Sequence, residues 1–245
     1  QQKTAWFCNN CGTESPKWVG RCPGCGEWNT MIEEKLPAGG SKSKSATFDP
    51  SRKSVPKPIS QVETVSETRI HMPSEELNRV LGGGLVAGSI VLIGGEPGIG
   101  KSTLVLQNIL SIRGKRILYV SGEESTSQLK MRADRIGRLS DNCYIVCDTS
   151  LENILGHAES LNPEIMVVDS IQTIASDSIE SSAGSVSQVR ECAAQLLRFA
   201  KSTGTPVLLI GHINKEGSIA GPKVLEHIVD AVLQFEGDRH YMYRI

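Results

Sequence analysis

Downstream of residue 85 the chain sets short apolar runs, at 89–93, 116–120, 144–146, 165–168, 207–210 and 228–233, between stretches of helical period. Short apolar runs bounded by turn residues mark strands buried on both faces, and their alternation with helices predicts an α/β fold: a mostly parallel sheet covered by helices on both sides. One helix is plain, because Val186, Val189, Ala193, Leu196, Leu197 and Ala200 fall on a single stripe. Residues 74–81 predict a short helix, capped by Ser74 and stopped by Gly82, Gly83 and Gly84. Upstream, residues 36–60 lack apolar period and carry Pro37, Gly39, Gly40, Pro50, Pro56 and Pro58 among Ser and Lys, the pattern of a flexible tether. The chain therefore divides into a small module at 1–35, a basic linker at 36–60 and an α/β domain at 61–245. No run of 18 apolar residues and no charged-then-apolar leader occurs, so neither a membrane span nor a secretion signal is expected and the expected location is cytoplasmic.

Chemistry enters after the first core strand. Gly95, Glu96, Pro97, Gly98, Ile99, Gly100, Lys101 and Ser102 fill every position of the phosphate-loop pattern G-x-x-x-x-G-K-[ST], followed by Thr103 at the start of a helix. The glycines let backbone N–H groups crowd around phosphate oxygens, Lys101 reaches the β- and γ-phosphates, and the Ser102 hydroxyl helps hold Mg²⁺. A nucleoside triphosphate is therefore expected here.

Net charge is −1 over 245 residues, and its distribution says more than its sum. Residues 1–35 hold four Lys/Arg against four Glu, residues 36–60 hold five against Asp49 alone, and the remainder holds 17 against 22 acidic residues. The basic segment reads as a solvated linker or as an arm that contacts DNA.

Cys8, Cys11, Cys22 and Cys25 form two C-x-x-C knuckles, a spacing that lets four thiolates converge on one Zn²⁺. Two disulfides or an iron–sulfur centre are the alternatives. So short a module cannot build an adequate core, and metal binding should supply most of its folding free energy. Trp6, Trp18 and Trp28 lie in or beside it; they either cover the zinc core or stack on unpaired bases or a partner protein. Cys143, Cys147 and Cys192 read as small core residues, a second metal site or redox pair at 143 and 147 being the alternative.

Ligands of such sheets sit at the carboxyl ends of the strands, which gives weight to the polar residues there. Asp169 follows the run 165–168, the place of a carboxylate that holds the Mg²⁺ water shell, or else of a helix cap. Glu123 and Glu124 end another strand, where a carboxylate orients or deprotonates an attacking water; Glu123 is the stronger candidate, and both as helix N-terminal charges is the alternative. His212 ends the strand at 207–211 and either senses the γ-phosphate or is a satisfied strand-end histidine. The polar stretches 172–184 and 214–223 read as binding loops on this face, with Lys215 and Lys223 facing nucleic-acid phosphates.

Together these residues resemble the bacterial RadA (Sms) family of RecA-like DNA-repair ATPases. The resemblance rests on the four-cysteine ribbon, Leu81-Gly82-Gly83-Gly84-Leu85, the phosphate loop, Tyr119-Val120-Ser121-Gly122-Glu123-Glu124-Ser125, Val168-Asp169-Ser170 and the stretch from Gly211 to His227. It implies a RecA-like P-loop ATPase core behind a zinc ribbon, with ATP, Mg²⁺ and Zn²⁺ as ligands. It further implies DNA-stimulated ATP hydrolysis with Glu123 as base, and single-stranded or branched DNA as partner. Branch migration alongside RecA and a homo-oligomeric ring, a hexamer, with the two polar loops lining its channel are implied as well. The family continues with a Lys-Asn-Arg-Phe-Gly signature and a Lon-protease-like domain, neither of which occurs here, so a truncated form is expected, retaining both ligand sites but impaired in DNA-coupled work. A nucleotide switch akin to clock-type RecA-like ATPases, with the ribbon docking a protein, is the alternative function. An ATPase without activity is the third, against which the intact Lys101, Ser102, Asp169 and Glu123 stand.

Overall fold

Successive residues of the central strands enter two different cores, and that alternation arranges everything else. The computed structural model describes residues 4–9, 11–35, 58–61, 69–137, 140–212 and 225–236. At the N-terminus β1 (Thr4–Cys8) lies between β2 (Glu14–Ser15) and β3 (Met31–Lys35) in a small antiparallel sheet. Next, β4 (Arg69–Ile70) and β5 (Leu85–Val86) form an antiparallel pair around α1 (Glu75–Val80). Ser74 caps α1 as expected, its hydroxyl accepting from Leu77 N, and Asn78 pins the entry by accepting from Met72 N at 2.7 Å and donating to Met72 O at 2.6 Å.

The main sheet follows: β6 (Ile90–Gly95), α2 (Lys101–Ile109), β7 (Ile117–Ser121), α3 (Thr126–Ile136), β8 (Cys143–Cys147), α4 (Leu151–Leu161), β9 (Ile165–Asp169), α5 (Val186–Thr203), β10 (Val207–His212) and β11 (Ala231–Phe235). Its six strands run in the order β11-β6-β10-β9-β7-β8, all parallel. Ile90, Leu92, Leu118, Val120, Met166, Val168, Val207 and Leu209 pack on α4 and α5. Their neighbours Val91, Ile93, Ile117, Tyr119, Ile165, Val167, Leu208 and Ile210 pack on α1, α2 and α3. This is the two-faced sheet that the apolar runs predict. The helices end on local signals: Ser125 with Gln128 forms a capping box on α3, Ser150 and Ser185 cap α4 and α5, and Gly137, Asn162 and Gly204 close them in left-handed conformations.

The structure shifts two sequence expectations and adds detail to a third. The last strand is Ala231–Phe235, not 228–233, because Asp230 ends the turn before it: its carboxylate accepts from Ile90 N at 2.8 Å and pairs with Lys201 at 2.9 Å. Of the three cysteines read as core, only Cys192 is buried; Cys143 is half-buried and Cys147 exposed, because β8 is an edge strand. The stretch 172–184 is a loop beyond Thr173, as its composition predicts, and it is anchored to the core. Ile174 and Ser176 are buried, and Gln188 of α5 donates to the carbonyls of Ser176, Ile179 and Ser181. The loop 214–223 with Lys215 and Lys223, and the linker through residue 57, lie outside the described residues.

Leu209 is fully buried in β10, between two neighbours in the sheet. Leu209→Ala is expected to lower the unfolding free energy by about 2–5 kcal/mol, read as a lower urea midpoint with unchanged slope.

Candidate functional site

Strand register sets the site. Gly95 pairs with His212 across β6 and β10, Ile210 with Asp169 across β10 and β9, and Asp169 with Ser121 across β9 and β7. The carboxyl ends of four strands thus deliver their last residues to one edge of the sheet beside the N-terminus of α2, with Gly95 and His212 two residues beyond the level of Asp169 and Ser121. Gly98, Gly100, Lys101, Ser102, Thr103, Glu123, Glu124, Arg132, Asp169 and His212 line the cleft there. Gly98 and Gly100 hold left-handed angles, φ 75° and 109°, and Gly100 caps α2 without a side chain, so the first N–H groups of the helix face the cleft. Of the remaining loop residues, Gly95 and Glu96 act through their carbonyls, and Pro97 and Ile99 do not line the cleft.

Lys101 is almost wholly buried. Its Nζ donates to Gly95 O at 2.8 Å and Glu96 O at 2.9 Å and stands 3.3 Å from His212 Nδ1. Burial pushes its pKa down, against the nearby Asp169 and Glu123 carboxylates. On the other side of the ring, His212 Nε2 lies 3.1 Å from Glu123 Oε1. A neutral imidazole protonated on Nε2 fits both contacts, accepting from Lys101 and donating to Glu123. Ser170 Oγ donates to the same Oε1 at 2.5 Å, so both protein donors converge on one oxygen of Glu123. Burial works to raise the Glu123 pKa, but the hydrogen bonds from Ser170 and His212 and the charge of Lys101 outweigh it and hold it below the ordinary carboxylate range.

The turn carrying Glu123 is fixed by its neighbours. Ser121 Oγ accepts from Glu124 N, Gly122 N donates to Asp169 O, and a Cβ at Gly122 would stand 2.0 Å from Thr173 Oγ1. Only glycine fits there. The two glutamates diverge: Glu123 faces Ser170 and His212, whereas Glu124 pairs with Arg132 of α3.

Asp169 is buried and accepts from Tyr119 Oη at 2.6 Å. Burial and the Asp169 charge push the Tyr119 pKa well above its ordinary value, so the phenol stays a donor. In the sequence Tyr119 and Ser170 stand only within the motifs of the resemblance, with no role assigned, and Arg132 does not stand out at all. Tyr119 carries one signal, a hydroxyl in an otherwise apolar strand; the seven residues between Glu124 and Arg132 carry none. Glu124 Oε2 and Arg132 Nη1 are buried without a hydrogen-bond partner among the described residues. Beside Ser102 and Asp169, one acceptor and one donor of this kind fit a magnesium nucleotide, whose water shell and phosphates offer the complementary groups.

The second site is the ribbon. The sulfurs of Cys8, Cys11, Cys22 and Cys25 all lie within 4.8 Å of one another, with Cys8–Cys25 at 3.6 Å and Cys11–Cys22 at 3.5 Å. All four are free thiols, which excludes disulfides, and the spacing approaches the ~3.8 Å between sulfurs around a tetrahedral Zn²⁺. Burial pushes the Cys11 thiol up to about 12; for Cys22, backbone N–H groups of Cys25 and Gly24 overcome burial and bring it to about 6. A Cβ at Gly24 would stand 2.0 Å from Thr13 Oγ1, so the second knuckle also needs its glycine. Trp6 packs against Cys8, Cys22 and Met31, but Trp18 and Trp28 are 53% and 67% exposed and do not cover the metal centre.

Comparison with known proteins assigns a family to each part of the chain. Residues 56–218 match the AAA domain family, and residues 6–33 match the rubredoxin metal binding domain. The chain is similar to DNA repair proteins RadA of Halalkalibacterium halodurans (51% identical, all of this chain and 54% of that one), Bacillus subtilis (52%, 99% and 54%) and Aquifex aeolicus (50%, 100% and 54%). It thus spans about half the length of these relatives. Among solved structures, a KaiC-like protein from the archaeon Pyrococcus horikoshii shares the fold, with TM-score 0.59 and 22% identity over 73% of this chain and 86% of that one.

Two outcomes are expected. Tyr119→Phe removes one hydrogen bond from Asp169 and should weaken magnesium-dependent nucleotide binding about tenfold, with the thermal midpoint nearly unchanged. Chelation of zinc should unfold the ribbon and shift tryptophan emission to the red as Trp6 loses its packing, while far-ultraviolet circular dichroism of the α/β core persists.

Proposed function

As the chain belongs to the AAA domain family and is a relative of the RadA DNA repair proteins, we propose that it is an ATP hydrolase whose turnover is coupled to DNA in recombinational repair. One observation supports this above the others: a phosphate-loop lysine, a histidine and a partly buried carboxylate stand in one row of contacts at the mouth of α2. Lys101 would bind the β- and γ-phosphates with the N–H groups of 98–103, and Ser102 and Asp169 would hold Mg²⁺, with Tyr119 orienting Asp169. When bound, Mg²⁺ neutralises charge on the phosphate oxygens.

Glu123 is the base in this reading. Its Oε1 is engaged by Ser170 and His212, which leaves Oε2 to orient the attacking water and take its proton. His212 touches both the phosphate-binding lysine and the base, so loss of the γ-phosphate would be felt at both ring nitrogens. Single-stranded or branched DNA as partner, branch migration beside RecA and a six-membered ring extend the reading by resemblance.

Measurement of ATP turnover with and without single-stranded DNA tests it. Lys101→Ala should lose nucleotide binding and turnover together. Glu123→Gln should keep nucleotide affinity and slow hydrolysis by roughly 10²- to 10⁴-fold. Turnover that rises with DNA and vanishes in Lys101→Ala supports the reading; slow turnover indifferent to DNA marks a nucleotide switch instead.

A further inference from the structure

The ribbon carries a feature that zinc binding does not use. Its second knuckle is a pinned hairpin: Arg21 bridges Trp28, Asn29 N donates to Gly20 O, and Cys22 N donates to Glu27 O. At the mouth of the hairpin a Cβ on Gly20 would stand 3.5 Å from Cη2 of Trp18 and 3.8 Å from Cζ3 of Trp28, so both indoles meet at one glycine. Each is more than half exposed. Single exposed apolar side chains are ordinary, but two large aromatic rings converging on a rigid turn are not, because the same rings would stabilise the small module if turned inward.

Cations frame the pair. The Arg21 guanidinium lies 5.9 Å from the ring centre of Trp28, and its Nε donates to Gly26 O at 2.8 Å, which fixes the group in place. Only its Nε is used among the described residues, and Lys17 is exposed beside Trp18. Glu27, the carboxylate of this stretch, is one residue out of phase with the Arg21–Trp28 pair. The chain that leaves the ribbon continues with five Lys/Arg against one Asp over residues 36–60.

We infer that Trp18 and Trp28 form a stacking platform for the bases of single-stranded nucleic acid, with Arg21 and Lys17 on its phosphates. Aromatic faces take any base, and flanking cations take the backbone; a protein partner of comparable fit would call for an apolar rim, where this surface offers charge. The hairpin holds the rings in place, so little conformational freedom is lost on binding. The inference rests on the reading of DNA as the partner, and it places a contact on the ribbon, apart from the ATPase cleft.

All three tryptophans of the chain lie in the ribbon, so tryptophan emission, excited above the tyrosine band, reports on it alone. The zinc-loaded chain is titrated with a short single-stranded oligothymidylate, with affinity read from the anisotropy of a label on the DNA and stacking read from tryptophan quenching. Quenching that tracks binding is expected. Trp18→Ala and Trp28→Ala should each weaken binding about tenfold, Trp18→Phe and Trp28→Phe should restore most of it, and Arg21→Ala should flatten the salt dependence, all with zinc content unchanged. DNA binding without quenching and indifferent to these substitutions overturns the platform and leaves the DNA-coupled ATPase standing. No binding, together with turnover indifferent to DNA, overturns both.

Discussion

A slip of one residue in any central strand would exchange the side chains of its two faces, and here both faces are buried. Ile90 and Leu92 would have to trade places with Val91 and Ile93 against helices of different shape. Register is therefore specified by packing twice over, once on each side of the sheet. The functional residues inherit that specification. Ser121, Asp169, His212 and Gly95 end four strands and meet at one edge, Ser121 level with Asp169 and His212 level with Gly95, only because every strand is locked.

The polar network at the carboxyl edge is connected rather than parallel. Lys101 meets His212, His212 meets Glu123, Glu123 meets Ser170, and Ser170 follows Asp169, which Tyr119 holds from the core side. A disturbance at one member reaches the next by direct contact, least screened at Lys101, Tyr119, Asp169 and Ser170, which are buried, and more screened at Glu123, which is exposed. Glu124 and Arg132 stand on the opposite flank with one free acceptor and one free donor between them. The sequence neighbours Glu123 and Glu124 thus do different work, because Gly122 turns the chain so tightly against Thr173 that the two carboxylates part.

Much of this was legible in the sequence. Apolar runs marked the strands, the phosphate loop and cysteine pairs marked their ligands by spacing, and strand-end placement selected Asp169, Glu123 and His212. What was not legible depended on distance along the chain or on edges. The role of Tyr119 needs β7 beside β9, fifty residues on, and Arg132 meets Glu124 through the pitch of α3 against β7. Cys147 resembled a core residue because nothing in a single strand says that it lies at the rim of its sheet. The stretch 172–184 is legible as a loop by composition, but its anchoring is not: the side-chain amide of Gln188 gathers three of its carbonyls.

The position of β6 has a consequence for how the molecule is made. Its neighbours are β10 and β11, which begin at residues 207 and 231, more than a hundred residues after it. The strand that leads into the phosphate loop therefore leaves the ribosome with neither hydrogen-bonding partner yet synthesised, although both of its faces are apolar. Its amide at Ile90 is answered only when Asp230 arrives. The nucleotide cleft is thus a late product of folding, closed by long-range pairing, and the nascent chain carries an unpaired apolar strand while more than a hundred further residues are added.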